Sequence, residues 1–374
     1  MVNYYGKGKE VVMAVTKKEL LNGNAAENGS FSPERITDLT VQLAAKMDNA
    51  IKEIGAITFQ SRILSLNAKV EATRAGMAGA AFSVVASEMG RLSEGIETLV
   101  TKLEKDTSGD FKEIAKINDN IAINFRGTRL SDLALNAIDL IDRSLYERSC
   151  DIRWWATDSS VIDALTEKTQ DANDFASQRL GVILDSYTVY FDIVLCDIHG
   201  LIVAHGRKGQ YGSLGQNVSD SKWFRVAMDC ATATDYGWET VHRSPLVQNE
   251  LALIYTTAVR ENGNKRGRVL GALGALFRYE ALAQTIVESV PLSKEEKGRS
   301  RVCIVDDDGL VLADTERKNL EATIDFLKRK ELFTQKKGFV IDKYQGQESC
   351  IAHALAPGYE TYTTGWHALI IQRL

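Results

Sequence analysis

Apolar positions in the first third of the chain recur at helical spacing, and from about residue 180 the texture changes to short β-rich runs separated by turn signals. Leu43, Met47, Ala50, Ile54, Ile57, Ser61, Leu64 and Ala68 step by alternating fours and threes. That is the period of about 3.5 residues that holds one seam against a partner helix. The pattern halts at Ala75-Gly76-Met77-Ala78-Gly79 and resumes as Phe82, Val85, Met89, Leu92, Ile96, Leu99 and Leu103. Two seams flanking a pair of glycines predict an antiparallel coiled-coil hairpin with its tip near residues 75–80. Ser32-Pro33-Glu34 carries the features of a helix start, and Asp106-Thr107-Ser108-Gly109-Asp110 those of a break in the return arm.

A further helical stretch is expected from about residue 111 into the 160s, with Ile138, Ile141, Leu145, Ile152 and Trp155 on one stripe and an interruption at Gly127. Trp154-Trp155 is expected to seat this helix on the β-rich part of the chain. Strands are predicted over 187–196 and 201–205, joined by Asp197-Ile198-His199-Gly200, and over 251–259 and 269–277, followed by a helix near 279–290. The pattern then repeats in shorter form, with strands near 301–305, 310–313, 338–344, 349–355 and 366–372 and a helix near 322–334. The expected organisation is a mobile tail over 1–31, a hairpin over 32–106, a connecting helix over 107–170 and two related α+β lobes within 171–374. The first lobe falls at about 180–290 and the second at about 299–374.

Composition narrows the class. The chain has 374 residues, a net charge of -5 and 25% charged residues, which argues against a nucleic-acid platform. No apolar run approaches the roughly 18 residues of a membrane span, so a cytoplasmic protein without such a span is expected. The five cysteines, Cys150, Cys196, Cys230, Cys303 and Cys350, are scattered and fit reduced thiols. The five histidines form no metal-ligating spacing, and Asp306-Asp307-Asp308-Gly309 reads as a hairpin turn, not a calcium loop. No metal, cofactor or catalytic constellation is expected.

The descending arm has more apolar residues than one seam uses. Phe59, Ile63, Leu66 and Val70 make a second stripe, turned away from the first and suited to docking protein partners. Around it, the segment Ser61-Arg-Ile-Leu-Ser-Leu-Asn-Ala-Lys-Val-Glu-Ala-Thr-Arg-Ala-Gly-Met-Ala-Gly-Ala-Ala-Phe-Ser-Val-Val-Ala-Ser-Glu-Met89, within residues 57–93, resembles the signalling tip of bacterial methyl-accepting chemotaxis receptors. The resemblance implies a homodimeric four-helix coiled coil whose tip binds a coupling protein and a histidine kinase and clusters with neighbouring dimers. Matching positions imply that Ile63, Leu66, Val70 and Val84 face the coupling protein or kinase, and that Phe59, Leu66, Glu71, Arg74 and Phe82 mediate clustering. The segment departs from the family pattern at Met77, Ala80, Ala81 and Gly90, and it has no evident Glu/Gln pair of the kind the family methylates.

Residues 131–374 resemble a second family, the double Cache sensor domains, through Phe191-Asp-Ile-Val-Leu-Cys-Asp-Ile-His-Gly200, Val218-Ser-Asp-Ser-Lys-Trp-Phe224, Val302-Cys-Ile-Val-Asp-Asp-Asp-Gly309 and Gly365-Trp366. This resemblance implies two PAS-like lobes after a long helix, with a small molecule held around Trp223 and Phe224. Lys222, Tyr236, Trp238, Arg243 and Tyr255 add the flat apolar surface and few polar groups that such a pocket uses. The amino-acid-binding members are expected to carry Arg where Ser221 stands and Asp where Leu276 stands, so other ligands are favoured. The reading is a non-enzymatic transducer with its signalling hairpin first and its sensor last. The alternatives are an enzyme with a PAS-like substrate lobe, and a structural coiled-coil dimer with a sensor lobe and no kinase output.

Overall fold

A computed structural model describes residues 33–360 and 362–374; the tail expected over 1–31 and the cap at Ser32 lie outside them. Two compact units divide between Asn124 and Phe125.

In the first unit, helix α1 (Pro33–Arg74) leads through a single 3-10 turn at Gly76–Gly79 into helix α2 (Ala80–Trp155). The reversal falls at the expected tip. Gly76 adopts φ +59, and a Cβ on Gly79 would lie 2.2 Å from the Ala72 carbonyl oxygen, so both positions require glycine. The arms run antiparallel: the Ser65 hydroxyl donates to the Ala86 carbonyl at 2.7 Å, and Arg62 pairs with Glu97 at 2.9 Å.

The contact line differs from the expected one. The buried residues of α1 are Ile51, Thr58, Ser65 and Ala72, seven apart, facing Gly79 of the turn and Ala86 and Ser93 of α2. Leu43, Met47, Ile54, Ile57 and Leu64 stay exposed, as do Phe82, Val85, Met89, Leu92, Leu99 and Leu103. Small and hydroxyl side chains let the backbones approach closely, which larger seam residues would prevent. α2 also runs unbroken through Asp106–Asp110 and Gly127, where a break and an interruption were expected. Asp, Ser, Thr and Gly each cost at most about 1 kcal/mol in a helix interior and leave its hydrogen bonds intact, unlike proline.

In the second unit, the later part of α2 is followed by α3 (Ser159–Glu167) and α4 (Gln170–Ser186). The Asp158 side chain caps α3, and Thr169 caps α4. The first lobe contains β1 (Tyr190–Asp197), β2 (Ile202–His205), α5 (Lys222–Met228), β3 (Gly237–Ser244), β4 (Glu250–Arg260), β5 (Val269–Phe277) and α6 (Tyr279–Ser289). The second contains α7 (Lys294–Arg299), β6 (Ser300–Val305), β7 (Val311–Asp314), α8 (Arg329–Phe333), β8 (Lys337–Tyr344), β9 (Gln347–Leu355) and β10 (His367–Arg373).

The sheets are antiparallel with one topology used twice, β2-β1-β5-β4-β3 and β7-β6-β10-β9-β8. Strand β3 and helix α5 were not anticipated, and the helix expected over 322–334 is only the short α8. Asp306–Gly309 is the β6–β7 turn, in which the Asp306 carboxylate accepts from the Asp308 and Leu310 amides and Gly309 takes φ +85.

One apolar cluster ties the unit together. Leu130, Ala134, Ile138, Ile141, Leu145, Ile152 and Trp155 of α2 are buried at helical spacing against Leu253 and Tyr255 of β4 and Val302 and Ile304 of β6. Trp155 meets Tyr187 and Tyr190 edge-on at 5.4 and 5.3 Å, whereas Trp154 points to solvent, so only the second tryptophan seats the helix.

Gly127 has a packing reason. A Cβ there would lie 2.3 Å from the Phe339 ring, whereas one on Gly109 would meet nothing within 4 Å. Gly109→Ala should therefore stabilise the protein by about 0.5–1 kcal/mol through helix propensity. Gly127→Ala should destabilise it by about 1–3 kcal/mol, because the ring must move. Urea unfolding followed by circular dichroism measures both, and the opposite order would contradict this packing.

Candidate functional site

At the hairpin tip, α1 presents three differently used faces. At about 100° per residue, the seam positions lie roughly 60–100° to one side of the Ile51–Thr58–Ser65–Ala72 line, and Phe59, Ile63, Leu66 and Val70 lie about 100–140° to the other. The second stripe is exposed along its length, and Phe82 and Val84 of α2 are 67% and 69% exposed. Leu66 and Val84 come together in a groove of about 930 Å³, whose floor includes Ser65 and Gly90 and whose rim carries Lys69 and Glu88. Glu71 and Arg74 form an exposed pair at 2.9 Å beside it. The structure thus gathers Leu66 and Val84 of the expected partner-binding set into one concave surface, lined otherwise by small and hydroxyl residues and by charges of both signs.

The residues expected to line a small-molecule pocket do not share one surface. Strand alternation sends Ala252 and Ile254 of β4 and Ala272 and Leu276 of β5 to one face of the first sheet, where Trp223 and Phe224 of α5 cover them. Leu253 and Tyr255 point to the opposite face, where Tyr236 and Trp238 also pack. Trp223 is 2% exposed and lies over Gly274, where a Cβ would meet its ring at 2.8 Å. Its backbone N–H donates to the Glu239 carboxylate at 3.2 Å. Lys222 is exposed, and Arg243 is largely exposed with Glu321 at 3.9 Å.

Tyr236, Trp238 and Tyr255 instead join the two lobes. The Tyr255 and Tyr362 hydroxyls lie 3.0 Å apart, Tyr236 stacks on Tyr362, and Trp238 meets Trp366 edge-on at 5.9 Å. Burial pushes the Tyr255 phenol well above its usual range, so it remains a neutral hydrogen-bonding group. Tyr362 escaped sequence reasoning because it sits in an irregular stretch with no periodicity. Glu239 escaped because β3 did.

Two histidine contacts were also invisible in the sequence. His205 Nδ1 lies 2.7 Å from the Asp192 carboxylate, whose other oxygen accepts from the Ile193, Gly206 and Arg207 amides. This buried acid closes the β1–β2 hairpin. In the second lobe His353 Nε2 lies 2.6 Å from His367 Nδ1, and Phe333 stacks on both rings. Burial, then the His367 ring, pull His353 down to about 3, so it is neutral near pH 7.

Comparison with known proteins finds likenesses of two kinds. Residues 7–140 match the methyl-accepting chemotaxis protein (MCP) signalling domain. Frizzy aggregation protein FrzCD of Myxococcus xanthus is 37% identical over 155 residues, covering 38% of this chain and 35% of that protein. Protein PilJ of Pseudomonas aeruginosa is 32% identical over 105 residues, covering 26% of this chain and 15% of that protein. The matched segments span between 13% and 35% of the curated relatives' lengths. The sensory domain of the Campylobacter jejuni chemoreceptor Tlp3 (CcmL), solved with isoleucine bound, superposes with a TM-score of 0.50 at 15% identity, covering 66% of this chain and 91% of that one. That likeness is one of fold. The chain therefore joins a chemoreceptor-type signalling segment to a fold shared with chemoreceptor sensory domains, and none of its described helices is long and apolar enough to cross a membrane.

The placement of α5 has a measurable consequence. Trp223→Ala should cost about 3–5 kcal/mol of stability, as for other buried large-to-small changes. Lys222→Ala should stay within about 0.5 kcal/mol of the wild type. Denaturant midpoints compare them; near-native stability of Trp223→Ala would show that the indole is not part of the core.

Proposed function

We propose that this chain is a cytoplasmic, non-enzymatic signal transducer. Its first lobe binds a small molecule, and its hairpin tip, in a homodimer, engages a coupling protein and a histidine kinase. The observation that carries the reading is the three-sided use of α1. One face is satisfied within the chain, a second keeps the regular seam exposed, and a third carries the stripe Phe59, Ile63, Leu66 and Val70. Monomeric proteins rarely leave such extended apolar surface uncovered on two flanks of one helix. A second hairpin on the seam makes a four-helix bundle and leaves the stripe, with Phe82, Val84, Glu71 and Arg74, free for other proteins.

Sensor and output share a helix, since α2 supplies both the return arm and, through Leu130 to Trp155, the core against both lobes. The cytoplasmic placement is supported by five free thiols, of which Cys150 is exposed. We place the ligand on the α5 side of the first sheet, bordered by Lys222, Trp223, Phe224 and Glu239. Tyr236, Trp238 and Tyr255 act there through the lobe contact, and so does Arg243, which shares their face of the sheet and pairs with Glu321 of the second lobe at 3.9 Å. Leu276 is fully buried in the apolar cluster under Trp223, and Ser221 is the uncharged residue before α5. A free ammonium group placed against Leu276 would be buried without a partner, so a ligand other than a free amino acid fits better.

Val70→Glu or Leu66→Arg should weaken recruitment of the coupling protein and kinase on the order of a hundredfold, because an unpaired charge enters the centre of the contact. Neither change should alter the melting of the helical unit. Leu64→Arg, on the seam, should lower that melting instead. Pull-down and thermal unfolding of the three variants test the assignment. Full recruitment by Val70→Glu, or melting as low as that of Leu64→Arg, would make the stripe structural.

A further inference from the structure

The second sheet ends in an unneutralised pair of arginines. β6 and β10 pair through Ile371↔Arg301 and Gln372↔Ser300, the last rung of their ladder. Alternation puts Arg301, Ile371 and Arg373 on one face, the face whose apolar cluster holds Cys303, Leu369 and Ile371, and Arg299 is the last residue of α7, directly before β6. Where that cluster ends, Arg299, Arg301 and Arg373 line a pocket of about 340 Å³ together with Tyr344, Gln345 and Gln347.

The charges there do not cancel. Arg301 is consumed by Asp314, with Nε 3.0 Å and Nη2 2.5 Å from its two carboxylate oxygens. Glu316, the acid lining the pocket, is held by Lys318 at 2.9 Å. Among the described residues no acidic side chain lies within ion-pair distance of Arg299 or Arg373. Arg373 donates only to the Gly298 carbonyl at 3.1 Å, and Arg299 Nε is buried without a hydrogen-bond partner. Two like charges lining one pocket repel, and a buried donor left unpaired is unfavourable.

We propose that this pocket is a second ligand site, one that binds a small dianion through its carboxylate or phosphate groups. The guanidinium forks of Arg299 and Arg373 suit the paired oxygens of either group. The side-chain amides of Gln345 and Gln347 and the Ser300 hydroxyl add neutral donors, and the Tyr344–Ile371 floor limits the ligand to a few heavy atoms beyond its charged groups. The site lies in the second lobe and stands independently of the ligand reading for the first.

Isothermal titration of the full chain with succinate and with inorganic phosphate, at constant ionic strength set by sodium chloride, tests it. Saturable one-to-one binding of either anion, with a Kd of about a millimolar or tighter, is expected. The two arms distinguish carboxylate from phosphate recognition, and saturation in either supports the site. The double variant Arg299→Gln/Arg373→Gln should bind about tenfold more weakly or worse, because both charge-assisted bonds are lost. Lys330→Ala, at an exposed position of the second lobe outside the pocket lining, should bind as the wild type does. Without anion, the double variant should melt at or above the wild-type temperature, since the repulsion is gone. No saturable binding of either anion, an unchanged affinity in the double variant, or a double variant that melts several degrees lower without anion would overturn the assignment.

Discussion

Burial of one stripe of α2, from Leu130 to Trp155, is the constraint on which the second unit depends. The stripe contributes to a single apolar cluster that includes residues of both sheets. Burying each large aliphatic side chain is worth about 1.5–3 kcal/mol, so the helix cannot shift along its axis without uncovering both lobes at once. A ligand that changes the packing of either lobe therefore acts on α2, and α2 is also the return arm of the hairpin. In the proposed transducer, coupling between sensing and output needs no further element than this shared core and a helix without proline across its length.

The first unit is built on the opposite principle. Its internal contact is a narrow line of Thr58, Ser65, Ala72, Ala86 and Ser93, and its large apolar side chains are left outside. Such a hairpin has little to hold it together alone, because most of the favourable burial is still unmade. Its seam and its stripe lie on opposite flanks of the contact line, so one partner cannot cover both. In the proposed dimer this arrangement separates self-association from recruitment, so that a change on one flank leaves the other untouched.

Much of this was legible in the sequence, for identifiable reasons. The 3.5-residue pattern exposed both arms, and the paired glycines of Ala75–Gly79 exposed the tip, because periodicity and positive φ are local signals. The strands of both lobes, β3 excepted, were legible from β-branched runs bounded by Asx and Gly turns, and the buried stripe of α2 from its spacing. The true contact line was not legible, since Thr, Ser and Ala at intervals of seven look like surface positions until a second backbone closes on them. Gly127 signalled an interruption, whereas the reason for glycine there is the ring of Phe339, more than two hundred residues away. The pocket residues were chosen by type, and type does not reveal parity. Trp223 of α5 and Tyr255 of β4 lie on opposite sides of one sheet, because strand alternation turns Tyr255 away from the face that α5 covers. The arginines at the end of the second sheet were equally hidden, because only the fold brings Arg299, at the end of α7, into one pocket with Arg373 of β10.

The claim on which the account turns is that the exposed seam of the hairpin is completed by a second copy of the chain. Sedimentation velocity of the intact protein at tens of micromolar measures it directly. The account predicts a species of twice the 41.3 kDa chain mass. Its population should collapse to single chains when Ile57 and Leu64 are both replaced by lysine, since like charges would then face each other across the bundle. A wild-type protein that sediments as a single chain throughout that range would contradict it.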